Sequence, residues 1–228
     1  MTRYQSFLAG QTLADRAMYQ VGRGVTVGFT RVWTRTTIEG REHIPPQGPC
    51  ILAPTHRSNL DTPITAAVTG RRVRFMGKDS LWKSKGWAWL LSSLGGFPVS
   101  RGTFDLEAMK RCLEVLEAGE PLVVFPEGER KSGPTVQPLF EGAAYLALKA
   151  NVPIIPIGIG GSERVMPKGS KMIYPYKVHV IVGEPIAPGV SGVPGSPRVP
   201  RERVKELTAL LHERLQELFD EASAMVIA

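Results

Sequence analysis

The chain has 228 residues, 43% of them hydrophobic and 21% charged, a balance that excludes a disordered polyelectrolyte and is sufficient for one domain with its own core. Its net charge of +7 and pI of about 9.6 point to an anionic partner, which nucleic acid, an anionic bilayer or a phosphorylated substrate would each satisfy. The two cysteines, Cys50 and Cys112, sit in apolar runs without a second Cys or a His at ligand spacing, so they read as free core thiols in a reducing compartment and not as a zinc site.

From the N-terminus, residues 4–33 read as a helix. Leu13, Ala17, Val21, Val25, Phe29 and Trp33 recur at three- or four-residue spacing, with Arg3, Arg16, Arg23, Arg31 and Arg35 around the stripe. Glycines at 10, 22, 24 and 28 make it a poor free-standing helix, so it needs a surface to lie on. Either the protein's own core or an anionic bilayer fits. Strands are then predicted at 36–40, 50–54, 72–76, 97–100, 121–126, 153–159 and 177–183, alternating with helices at 60–69, 80–94, 104–118 and 139–150. Nearly all-apolar strands between helices predict an α/β fold: a mixed, mostly parallel sheet with helices on both faces and chemistry beyond the strand ends. Residues 186–200, rich in Pro and Gly, read as a linker. Residues 201–222 form an amphipathic packing helix with Val204, Leu207, Leu211, Leu215, Leu218 and Phe219 on one face. The whole is one domain: a helical segment over 1–35, a core over 36–185, the linker and the C-terminal helix.

Several polar groups follow predicted strands. His56 and Asp61, in Thr55-His56-Arg57-Ser58-Asn59-Leu60-Asp61, meet if the chain turns into a helix between them, with Asn59 as its N-cap. An imidazole backed by a carboxylate takes a proton from an alcohol, although a His at a helix start with a first-turn acid has the same spelling. In Phe125-Pro126-Glu127-Gly128-Glu129-Arg130, Gly128 permits a sharp turn and Arg130 offers a fork for a phosphate. Glu127 either meets hydroxyls or braces an Arg, and a plain surface turn is the competing reading. Gly95-Gly96-Phe97-Pro98-Val99-Ser100-Arg101 and Gly77-Lys78 supply two more strand-end cations, each of which also reads as a solvated side chain.

Taken together, these blocks resemble the 1-acylglycerol-3-phosphate acyltransferase superfamily, the PlsC-like lysophospholipid acyltransferases, over residues 36–185. His56 and Asp61 look like its H-x4-D box. Gly95 to Arg101 looks like its G-x-F-x-x-R block, Phe125 to Arg130 like F-P-E-G-T-R, and Val152-Pro153-Ile154-Ile155-Pro156-Ile157 like V-P-I-x-P-I. Glu129 stands where Thr is usual, Thr55 where Asn is frequent and Asn59 where an aromatic is frequent. The resemblance implies transfer of an acyl group from acyl-CoA or an acyl carrier protein to a glycerophospholipid precursor, 1-acylglycerol 3-phosphate first, with glycerol 3-phosphate or another lysolipid as alternatives. A catalytically inactive membrane-binding relative is a further alternative.

On that resemblance His56 is the base and Asp61 its partner, while Lys78, Arg101, Glu127, Gly128 and Arg130 hold the acceptor. Backbone N–H groups after His56, or Lys78, serve the oxyanion, and no metal or cofactor is needed. No helix-turn-helix, zinc or aromatic RNA-binding pattern accompanies the charge, so nucleic acid is not expected. No apolar stretch reaches the roughly 18 residues that span a bilayer. With no secretory-signal pattern at the N-terminus, a peripheral protein at the cytoplasmic face of the cell membrane is expected. The segment with Trp82, Lys83, Lys85, Trp87, Trp89, Leu90 and Leu91 reads either as interfacial or as core and acyl groove.

Overall fold

The computed structural model describes residues 12–99, 106–189 and 199–227. The elements are α1 (Leu13–Val32), β1 (Thr37–Glu39), β2 (Ile51–Pro54), α2 (Asp61–Ala67), β3 (Arg74–Lys78), α3 (Lys85–Ser93), β4 (Gly96–Val99), α4 (Leu106–Glu117), β5 (Leu122–Val123), α5 (Gly142–Ala150), β6 (Ile154–Gly160), α6 (Ser162–Val165), β7 (His179–Val182) and α7 (Arg201–Ile227). The seven predicted strands are all present, and the four predicted internal helices correspond to α2 to α5.

The strands form one sheet in the order β1-β7-β6-β2-β5-β3-β4. Five neighbouring strands, β6 to β4 in that order, run parallel; β7 pairs antiparallel to β6, and β1 joins β7 in parallel. Both faces are apolar, so the alternation along a strand separates two cores instead of core from solvent. Along β2 and the residue before it, Ile51 and Ala53 join the core beneath α4, α5 and α7, while Cys50 and Leu52 join the one beneath α2. Cys50 and Cys112 are buried free thiols, and burial pushes the Cys50 thiol up to about 11. On β6, Gly158 and Gly160 leave room for the α7 backbone at Leu218 and Ala222, which lets this long helix lie directly on the sheet. Of its predicted face, Val204, Leu207, Leu211, Leu215 and Phe219 are buried.

α1 is capped by Thr12, whose hydroxyl accepts from the Asp15 N–H while the Asp15 carboxylate accepts from the Thr12 N–H. The helix meets the domain through polar atoms. Ser93 donates to Asp15 (2.9 Å), the Tyr19 hydroxyl bonds the Arg71 carbonyl and the Val73 N–H, and Arg23 donates to the Thr69 carbonyl. Its outer face is the apolar one, with Leu13 84% and Val32 82% exposed and Val21 and Val25 also open to solvent. The predicted stripe therefore faces away from the protein. No described helix is long and apolar enough to cross a membrane.

Candidate active site

β2 has β6 on one side and β5, β3 and β4 on the other, and the chain passes on from β2 to β3 but crosses back over β2 from β5 to β6, so the carboxyl end of β2 is where the topology divides. His56 emerges there, two residues past Pro54. β5 pairs with β2 in parallel, so the Phe125-Pro126-Glu127 turn opens at the same end.

The turn from β2 into α2 is built around one buried carboxylate. Asp61 Oδ2 accepts from the backbone N–H groups of Arg57 and Ser58, both at 2.6 Å, and lies 3.1 Å from His56 Nδ1. Asp61 is wholly buried and His56 keeps an opening to solvent. A carboxylate at Nδ1 fixes the proton there and leaves Nε2 as the basic nitrogen. The Phe125 ring stacks on the imidazole at 4.0 Å between centroids and restricts its rotation. Asn59 is not the N-cap: Leu60 occupies that position without a side-chain cap, and the Ser58 hydroxyl accepts from the Leu60 N–H instead. The Arg57, Ser58 and Leu60 N–H groups are thus engaged within the turn. Of the backbone N–H groups expected to serve an oxyanion, these three already have acceptors.

Glu127, expected among the acceptor-binding groups, is a brace. Its side chain is fully buried, and its oxygens accept from Arg57 Nη1 at 2.7 and 2.9 Å, from the His56 N–H at 3.1 Å and from the Gln137 N–H at 3.1 Å. Arg57, also buried, donates further to the carbonyls of His56, Gly133 and Thr135 and lies 4.7 Å over the Phe219 ring of α7. Gly128 has φ of +72°, and a Cβ there would come within 2.6 Å of the Phe140 ring, so the turn after Glu127 requires glycine.

A cavity of about 700 Å³ opens on His56. One part of its lining is apolar: Pro63, Phe75, Met76, Trp82, Leu91 and Leu94. Three cations, Arg23, Arg130 and Lys168, also face it, together with Gly128 and Glu129. α1 contributes Tyr19, Gly22, Arg23 and Thr26, so the N-terminal helix forms part of the wall. Burial pushes the Tyr19 hydroxyl up, keeping it protonated for its bond to Arg71. Lys131, 2.9 Å away, holds the Glu129 carboxyl below the usual range by its hydrogen bond and charge. Within 80–94, Trp82 and Leu91 line the cavity, whereas Trp87 and Trp89 are exposed.

Of the predicted site residues, His56, Gly128 and Arg130 share this cavity, with Asp61 directly behind His56. Arg101 lies outside the described residues, and Lys78 is described as backbone alone, paired with Val99 at the end of β3. Arg57, Arg23 and Lys168 are additions from the structure. Lys168 lies beyond α6 and not at the end of a strand, so the strand-end rule that selected Lys78 passes it over. Arg57 and Arg23 have no such mark either.

A model described as acyltransferase matches residues 35–160. A chloroplastic 1-acyl-sn-glycerol-3-phosphate acyltransferase of Brassica napus is 32% identical over 156 residues, 67% of this chain and 45% of the relative. A Bacillus subtilis protein of the same name is 25% identical over 183 residues, covering 79% of this chain and 86% of the relative. The crystal structure of the 1-acyl-sn-glycerophosphate acyltransferase PlsC from Thermotoga maritima superposes with a TM-score of 0.70 at 25% identity, over 90% of this chain and 79% of that one. The chain spans under half the length of the plant relative and 86% of the bacterial one.

Proposed function

The chain belongs to the acyltransferase family, whose model covers more than half of it, and from that premise we propose that it moves a fatty acyl group from an acyl thioester to the free hydroxyl of 1-acylglycerol 3-phosphate, giving phosphatidic acid. The observation that carries this reading is the His56–Asp61 pair at 3.1 Å opening onto a cavity that is apolar along part of its lining and cationic at Arg23, Arg130 and Lys168. An acyl chain and a phosphate need those two surfaces in one space.

In the proposed step His56 Nε2 removes the acceptor's hydroxyl proton as the oxygen attacks the thioester carbonyl carbon. Asp61 supports the imidazolium. The tetrahedral intermediate collapses with cleavage of the C–S bond, and the thiolate takes the proton back from His56, leaving ester and free thiol. The acceptor is its own nucleophile, so the step balances without an enzyme-bound intermediate, a metal or a cofactor, with acyl-CoA or an acyl carrier protein as co-substrate. Arg130, Lys168 and Arg23 hold the phosphate, and Lys78 and Arg101 are assigned to the same task from the sequence. Asn59, on the cavity wall with His56, is the side chain we assign to the oxyanion. Lys131 balances the Glu129 carboxylate, which keeps the net charge of this rim suited to a phosphate.

We further propose a peripheral location on the cytoplasmic face of the cell membrane, supported by the apolar outer face of α1, the arginines Arg16 and Arg31 along it and Arg35 just past its end. Thiol release from acyl-CoA with 1-acylglycerol 3-phosphate tests the reaction, with glycerol 3-phosphate and other lysolipids alongside. His56→Ala lowers turnover by about 10²–10⁴-fold, the range for a lost general base, while the fold is kept. Full turnover in purified His56→Ala protein would remove the mechanism.

A further inference from the structure

The segment between α6 and β7 has a composition unsuited to an ordinary loop. Its tip reads Met172-Ile173-Tyr174-Pro175-Tyr176, and all four of its large apolar or aromatic side chains face solvent, Met172 at 64%. The tip is nevertheless ordered. Tyr174 N–H donates to the Val165 carbonyl (2.8 Å), Met172 N–H to the Ser170 hydroxyl (3.0 Å) and Tyr176 N–H to the Tyr174 carbonyl (2.9 Å). The fold thus holds these side chains outward where turning them in would remove apolar surface from water.

Cations surround the tip. From Arg164 to Gly183 the sequence contains Arg164, Lys168, Lys171 and Lys177 and no carboxylate. All four are exposed, and Arg164 lies 4.5 Å over the Tyr176 ring. The tip is also tied to the end of α1: Trp33 Nε1 donates to the Ile173 carbonyl and Arg35 to the Pro175 carbonyl. It therefore continues the apolar outer surface of that helix. At its root, Lys168 lines the catalytic cavity and donates to the Arg130 carbonyl.

We propose that residues 168–177 form a second bilayer-contacting element, in which Met172, Ile173, Tyr174 and Tyr176 enter the headgroup region and Lys171 and Lys177 meet anionic lipid. Apolar and tyrosine side chains ringed by lysines match the chemistry of a lipid–water interface. An acidic carrier protein would use the cations but leave the apolar tip without a role. The inference rests on the reading of this chain as an enzyme working at a membrane surface. It adds to that reading an orientation: α1 and the tip dock together, and Lys168 brings the cationic rim of the cavity next to the lipid from which an amphipathic acceptor enters.

Flotation with vesicles of phosphatidylcholine, alone and with phosphatidylglycerol added, tests it. The triple variant Met172→Ser/Ile173→Ser/Tyr174→Ser should bind the anionic vesicles at least about tenfold more weakly, the equivalent of one lost buried apolar side chain. Its thermal midpoint and its turnover on dispersed short-chain substrates should match those of the parent. Lys171→Glu/Lys177→Glu should lose the preference for anionic vesicles. In the unmodified protein, vesicles should slow amide hydrogen exchange at residues 171–177, a readout independent of how the variants fold. Equal flotation of parent and triple variant, unchanged exchange at the tip, or loss of acidic carrier binding in place of vesicle binding would each overturn the proposal. Absence of short-chain turnover in the parent would instead count against the acyltransferase reading and leave the flotation result to be judged by itself.

Discussion

Glu127 separates two accounts of the Phe125-Pro126-Glu127-Gly128 turn. If it braces the site, Glu127→Ala strips the acceptor from the buried Arg57 guanidinium and from the part-buried N–H groups of His56 and Gln137. Breaking one partner of a buried ion pair costs about 3–5 kcal/mol, and in a chain of this size each kcal/mol is worth about 2–4 °C, so the melting midpoint falls by roughly 6–20 °C. The carbonyls of His56, Gly133 and Thr135 and the Phe219 ring continue to hold Arg57, which places the expected loss towards the lower end. Replacing both partners in Arg57→Met/Glu127→Leu should recover much of that stability, because no charge is then left buried alone. Turnover should not recover with it, since the His56 backbone still lacks its acceptor. Thermal melting read alongside thiol release distinguishes these outcomes. If Glu127→Ala melts with the parent while the KM for the acceptor rises, Glu127 touches the acceptor and the bracing argument is wrong.

Gly128→Ala forces a side chain into left-handed backbone and against the Phe140 ring. It should cost more than the about 1–2 kcal/mol of left-handed backbone, seen as a lower melting midpoint, and should reduce turnover, whereas Gly133→Ala, which also has positive φ but open space around it, should show that backbone cost without the clash. For Asp15, the hydrogen bonds from Thr12 and then Ser93 hold the carboxyl below its ordinary value of 3.8. Its folded pKa lies under the unfolded one, so its contribution is present above about pH 4 and is lost as pH falls through the folded value. Parent protein should therefore protect α1 amides better than Asp15→Asn at neutral pH and lose that advantage in acid. An advantage independent of pH would refute the assignment.

The sheet was legible because its strands are short, nearly all apolar and separated by amphipathic helices, and because both faces are covered. In such a sheet a strand announces itself by composition, so β2 (Ile51–Pro54) and β6 (Ile154–Gly160) were found without knowing which face is which. What composition does not carry is the side on which an element rests. The stripe Leu13, Val21, Val25 marked α1 as amphipathic, yet it turns outward because Asp15, Tyr19 and Arg23 find partners at Ser93, Arg71 and Thr69, residues that sequence spacing does not connect to it. The same limit explains the α2 start. Asn59 is a good N-cap by residue type, but Asp61 reaches back to the Arg57 and Ser58 N–H groups and Ser58 serves Leu60, so the turn had no need of it.

The site divides along the same line. His56 and Asp61 are five residues apart, close enough for one turn to join them, so their pairing could be read locally. Arg57 lies between them and reads as one more solvated cation, because its acceptors come from residues 127–135 and its aromatic neighbour, Phe219, from the C-terminal helix. α7 also reaches this region directly: Gln216 accepts from the Val136 N–H, and His212 Nε2 lies 3.0 Å from the Val136 carbonyl. The segment that supplies Arg57 with its carbonyls is thus clamped by a helix some 80 residues further along the chain. A packing helix expected from its apolar stripe alone has a second task, holding the wall against which the catalytic turn is set. That task rests on the polar and aromatic side chains His212, Gln216 and Phe219, which a hydrophobic pattern passes over or counts only as core.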